Sequence, residues 1–128
     1  MMNNEYTLLL VDDDENYRTT ILLVLKKYFK NIDVAVNLEE ALKLLNNNKY
    51  DIVITDGVFP KVGNYRIKNP TSEDVNGIIL ASAAKKKGIY VIGISSDPKL
   101  LGNIPDVTLK KPFNLTDLQG IIKKRLGI

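Results

Sequence analysis

Four short apolar runs decide what this chain can become. "YTLLLV" (6–11), "IDVAV" (32–36), "YDIVIT" (50–55) and "IYVIGISS" (89–96) are strand-sized, and the first runs unbroken in apolar residues from Leu8 to Val11. A run of that length with no polar alternation reads as a strand buried on both faces, and such strands belong to parallel sheets. A fifth, shorter run, "DVTL" (106–109), follows. Helical patterns separate the strands. "ENYRTTILLVLKKYF" places Ile21, Leu22, Leu25 and Phe29 at helical spacing. "NLEEALKLLNNN" begins at a capping Asn37 with Glu40 three residues on. "TSEDVNGIILASAAKKKG" offers Thr71 and Asp74 as a capping box and Gly88 as a stop. "FNLTDLQGIIKKRL" is capped by Asn114 with Asp117 three on. Parallel neighbours need crossover connections, so the expected fold is α/β: a doubly wound five-stranded parallel sheet with helices on both faces.

Composition narrows the chemistry. A chain of 128 residues is expected to form one domain with a single core. It contains no Cys and no His, which removes disulfides, thiolate or imidazole zinc sites and Ser-His-Asp catalysis. The absence of Cys fits a cytoplasmic location. No apolar run approaches the roughly 20 residues of a membrane span, and "MMNNEY" lacks the pattern of a secretory signal. Residues 1–60 carry 6 basic and 10 acidic side chains, and residues 61–128 carry 12 and 5. The basic half invites a nucleic-acid reading. However, "AKKKG" and "IIKKRL" fall where helices end and cations suit the dipole, so direct nucleic-acid binding is not expected.

In a parallel sheet, ligands collect at the carboxyl ends of the strands. The sequence puts Asp12 and Asp13 after the first strand and Asp56 after the third. Ser95 and Ser96 end the fourth, and Lys110 and Lys111 follow the fifth, before Pro112. Clustered carboxylates resist joint ionisation, and a hard divalent cation such as Mg2+ relieves them. An ammonium and a hydroxyl beside that cation mark a place for an incoming anion. These are the parts of phosphoryl transfer, with a carboxylate as the nucleophile where His and Cys are missing. Taken singly, each residue has a plainer role. Asp14 is expected to be only a helix cap, and a Lys before Pro is commonly a surface residue.

Taken together, "LLLVDDDENYR", "YDIVITDGVFP" and "LKKPF" resemble the receiver domain of two-component response regulators over nearly the whole chain. The resemblance implies the flavodoxin-like strand order 2-1-3-4-5 and one receiver domain over 1–128. It makes Asp56 the phosphate acceptor, Asp13 a direct metal ligand and Asp12 the holder of metal-bound water. Val58 would lend its backbone carbonyl to the Mg2+ or Mn2+. Ser95 would be the hydroxyl that meets the phosphoryl group, and Ser96 the small residue governing access. Lys111 would pair with a phosphoryl oxygen, before a cis Lys111–Pro112 bond. The donor would be the phosphohistidine of a histidine kinase or phosphotransfer protein. The output would be an altered interaction with a downstream protein or a second copy in a homodimer. Such a domain is no enzyme beyond its own phosphorylation and dephosphorylation. The alternative is a degenerate receiver, a binding module that works without phosphorylation.

Three features depart from the family pattern. The glycine that usually opens the third helix eight residues after the acceptor is here Gly77, 21 residues after Asp56, which implies an insert at about 62–74. That insert carries Lys61 at its edge, Tyr65, Arg66 and Lys68, and is either a lid or docking loop or a surface excursion tolerated because lengthening a loop costs little. The aromatic switch position, three residues before the lysine, is Thr108. Only 15 residues separate Ser95 from Lys111, so "SDPKLLGNIP" has room for about two helical turns. Two other readings fail. A haloacid-dehalogenase-type phosphatase needs a second Asp two residues from the nucleophile, where Ile54 and Val58 stand. A flavodoxin-like electron carrier would set three acids against an anionic cofactor.

Overall fold

A computed structural model describes residues 5–128. Five strands form one all-parallel sheet: β1 (Thr7–Val11), β2 (Asn31–Ala35), β3 (Ile52–Asp56), β4 (Tyr90–Ser95) and β5 (Val107–Lys110). Their order is β2-β1-β3-β4-β5. Three helices connect strands, α1 (Glu15–Leu25), α2 (Leu38–Asn47) and α3 (Asn76–Lys86), and a fourth, α4 (Leu115–Leu126), follows β5.

Alternation along the central strands explains the two layers. Leu9, Val11, Val53 and Val91 point to one face and pack with Leu38, Ala41 and Leu45 of α2 and Leu80, Ala81 and Ala84 of α3. Leu8, Leu10, Ile52, Ile54, Ile92 and Ile94 point to the other, against Ile21 and Leu25 of α1 and Leu118 and Ile122 of α4. Every one of these strand residues is fully buried. This is why the sequence shows continuous apolar runs: each strand must satisfy two cores at once.

Local chemistry sets the helix ends. Asp14 Oδ1 accepts from the backbone N–H groups of Asn16 and Tyr17, and Asn37 Oδ1 accepts from that of Glu40 at 2.7 Å. Gly88, at φ +76°, follows α3 as expected.

Two expectations about helices require correction. The Thr71–Asp74 capping box forms, but it caps a separate 3-10 turn over Ser72–Asp74. The helix proper starts at Asn76, because its N-terminus is fixed by tertiary contacts and not by a cap: Gly77 N–H donates to Gly57 O, and Asn76 Nδ2 to Phe59 O at 2.7 Å. Between β4 and β5 the expected two turns shrink to one 3-10 turn, Pro98–Leu101. Leu101 on that turn is fully buried, and it anchors the short connection against the sheet.

Candidate functional site

The carboxyl edge of the sheet gathers the acids. β1 ends one residue before Asp12, which is fully buried, and β3 ends on Asp56 itself, 9% exposed. One carboxylate oxygen from each of Asp12, Asp13 and Asp56 lies within 4.8 Å of the others. Asp12 Oδ1 accepts from Asp14 N–H at 2.9 Å, and its Oδ2 accepts from Lys111 Nζ at 2.9 Å. Lys111 Nζ also stands 3.3 Å from Asp56 Oδ2. The other Asp56 oxygen takes the N–H of Gly57 at 2.7 Å, so Oδ1 is fixed and Oδ2 faces the ammonium. Lys111 follows the end of β5 with its own N–H donating to Ser95 O, and the Lys111–Pro112 bond is cis.

This crowding shows in the titration of the groups. Burial, then the Asp12 charge, pushes the Asp56 carboxyl up to about 7, against the pull of Lys111 and the Gly57 N–H. Burial and the same neighbour raise Asp13, while Arg66 and Lys111 act in the opposite sense. Burial works against the charge on Lys111, but Asp56 and Asp12 outweigh it and its pKa rises. Three carboxylates held this close with one ammonium fit a hard divalent cation taken up through oxygen, Mg2+ above all.

Above the acids opens a cavity of about 640 Å³, lined in part by Asp13, Asp56, Val58, Ser95, Ser96 and Lys111. Six of the residues singled out from sequence therefore face one space, with Asp12 buried beneath it. Ser95 is buried at the end of β4, where its hydroxyl donates to Asp97 O and accepts from Asp97 N–H. Ser96 is exposed at the mouth. Thr108 is half-buried on β5 and does not line the cavity; its Oγ1 lies where a side chain on Gly93 would reach. Close packing is built in behind Asp56. A Cβ on Gly77 would fall 2.3 Å from Asp56 O, so α3 rests directly on the backbone that carries the acid.

Further residues of the site carry no sequence signature of their own. Tyr17, on the first turn of α1, lies under Lys111 with Nζ 4.2 Å from the ring centroid, and stacks on Phe113 at 5.8 Å. Its only clue is its place one turn beyond the Asp12–Asp14 run. Asp14 proves to be more than a cap: its Oδ2 pairs with Arg66 Nη1 at 3.3 Å, and both line the cavity with Ile67 and Pro70. The stretch after β3 thus forms a wall of the site. Its base is closed by a bridge between Phe59 and Val75. Its first half is tied to α2, whose N–H groups at Leu38 and Glu39 donate to the carbonyls of Pro60 and Lys61, and whose cap Asn37 donates from Nδ2 to Gly63 O.

A five-stranded parallel sheet in the order 2-1-3-4-5 is a doubly wound domain of the flavodoxin-like type, and this one bears three acids and a lysine at its carboxyl edge. The comparisons with known proteins agree. No family model matches the chain. It is 33% identical over 123 residues to the probable transcriptional regulator ycf27 of Cyanidium caldarium, covering 95% of this chain and 47% of that protein. Among solved structures it resembles the response regulator TrrA of Thermotoga maritima in complex with Mg(2+)-BeF, at 29% identity and a TM-score of 0.70, covering 94% of this chain and 99% of that one. A two-component response regulator from Clostridium difficile shares the fold, with 22% identity and a TM-score of 0.76 over 95% of this chain and 96% of that one. By fold and by sequence likeness the chain stands with the receiver domains of response regulators. It spans between 19% and 54% of the length of the curated relatives it matches.

Proposed function

We propose that this receiver domain accepts a phosphoryl group on Asp56 from a phosphohistidine of a histidine kinase or phosphotransfer protein. The phosphorylated form then changes its interaction with a downstream protein. The observation that carries the proposal is the arrangement of Asp56 Oδ2. It is the one oxygen of that carboxylate not held by Gly57, it lies 3.3 Å from Lys111 Nζ, and its carboxylate lines an open cavity.

In the step, Asp56 Oδ2 attacks phosphorus in line. The phosphorus–nitrogen bond to the donor imidazole breaks, and that nitrogen keeps the electron pair. Hydrolysis reverses the gain: water attacks the same phosphorus, and the bond to Asp56 breaks to return carboxylate and inorganic phosphate. Asp12, Asp13, Asp56 and the Val58 carbonyl would hold Mg2+ or Mn2+, which when bound offsets the charge of the acids and of the phosphoryl oxygens. Lys111 pairs with one phosphoryl oxygen, and Asp12 keeps that ammonium in place from below. Ser95 is poised to turn its hydroxyl from Asp97 to a second oxygen. Exposed Ser96, small at the mouth, admits donor and water. The chain catalyses only this gain and loss.

The test is incubation with acetyl phosphate and Mg2+, followed by intact mass. The expected result is a gain of one phosphoryl group, lost in Asp56→Asn. No gain in the wild-type chain, even on quenching within seconds, would leave a binding module that works without phosphorylation.

A further inference from the structure

The wall after β3 adds a cation to the site, and its connections are uneven. The base of the stretch is pinned by the Phe59–Val75 bridge and by Asn76 Nδ2 on Phe59 O. Its first half is tied to α2 by three hydrogen bonds. Its far side meets α1 through the Arg66–Asp14 ion pair, in which the Arg66 side chain is 71% exposed. An ion pair that open to water is weak and readily exchanged. Arg66, Asp14 and Asp56 all line the same cavity, and the Arg66 charge already acts on Asp13 inside it.

We infer that Arg66 is a second phosphoryl-binding cation. It leaves Asp14 when Asp56 is phosphorylated and pairs with the phosphoryl oxygens, drawing the 60–74 stretch over the cavity. The inference rests on Asp56 being the acceptor. Its physical basis is charge. Replacing the Asp56 carboxylate by an acyl phosphate adds negative charge to a site where Lys111 is already shared between two acids. Asp14 offers Arg66 one carboxylate oxygen, its other oxygen being held as the cap of α1, whereas a phosphoryl group offers several oxygens in the geometry a guanidinium fork matches. The apolar side chains of Ile67 and Pro70 flank Arg66 on the same wall and would be carried inward with it.

The experiment measures beryllofluoride binding in the presence of Mg2+ by fluorine NMR, with trypsin cleavage after Arg66 as a second readout. Wild type is expected to bind the probe and to lose cleavage at Arg66 when it does. Arg66→Gln should weaken binding about fivefold to tenfold, the loss of a charge-assisted contact that is partly solvated. Asp14→Asn retains a capping side chain but releases the arginine, and should strengthen binding. That gain should shrink in the Arg66→Gln background, because it depends on the freed guanidinium. If Arg66 served only to tie the loop to α1, both single changes would loosen the loop and act in the same direction. Such a result would overturn the inference. So would equal affinity in Arg66→Gln and wild type, or an equal effect of Asp14→Asn in both backgrounds. A wild-type chain that binds no probe, or binds it equally well as Asp56→Asn, overturns the acceptor assignment and this inference with it.

Discussion

Asp56 is buried among charges of its own sign, and the fold carries that cost in order to hold it there. Its carboxyl is pushed up to about 7 from the ordinary 3.8. A carboxyl whose folded pKa lies above its unfolded value contributes stability below the unfolded value and loses it as pH rises through the folded one. For Asp56 the window runs from about pH 4 to pH 7. Without metal, unfolding monitored by circular dichroism should therefore show Asp56→Asn more stable than wild type at pH 7.5. The gain is on the order of 1–2 kcal/mol, with the difference fading towards pH 4. Mg2+ should raise wild-type stability at pH 7.5 and lose that effect as the site protonates. Lys111 answers the same acids from the other side. Lys111→Ala leaves the fully buried Asp12 without its ammonium, and should cost about 2–4 kcal/mol in urea unfolding. These acids and the lysine were legible because a strand end is a fixed place: where an apolar run stops, the next side chain stands at the sheet edge. Tyr17 was not legible, because its role depends on the rotation of α1 and on Phe113 arriving from the other end of the chain.

At the level of elements, the strands were readable to within a residue or two, the three central ones because each must bury both faces. The helix starts were less so. A capping box reports a local hydrogen-bonded turn, and Thr71–Asp74 makes one, but α3 begins where Gly77 meets the Asp56 backbone, a contact between distant residues. The same contact yields a paired test. Gly77→Ala drives a methyl into Asp56 O and should destabilise by about 1–3 kcal/mol while impairing phosphoryl uptake. Gly120→Ala, in the interior of α4 with nothing near the added carbon, should instead stabilise by about 0.5–1 kcal/mol and leave uptake unchanged. The path of the long stretch after β3 was beyond sequence reasoning. Its polar composition states that it is a loop, whereas its direction comes from carbonyls seated on the N-terminus of α2 and from Arg66 finding Asp14.

At the scale of the whole molecule, the sheet separates two tasks. Its body is an apolar double layer that fixes where five strand ends lie. Its carboxyl edge is a polar surface where Asp13, Asp14, Asp56 and Asp97 line one cavity with Lys111 and Arg66, and Asp12 is buried against Lys111. The acidic first half of the chain supplies Asp12, Asp13, Asp14 and Asp56, and the basic second half supplies Lys111 and Arg66 across the edge. Charge asymmetry that looked like a surface property is thus partly a feature of the site. Among the described residues no helix is long and apolar enough to cross a membrane. The most direct test of the central claim is to locate the phosphoryl group. After phosphorylation with Mg2+ present, borohydride reduces an aspartyl phosphate to homoserine, and peptide mass spectrometry reads the position. Homoserine at residue 56 is the predicted result. Homoserine at residue 12 or 13, or at none, would contradict it.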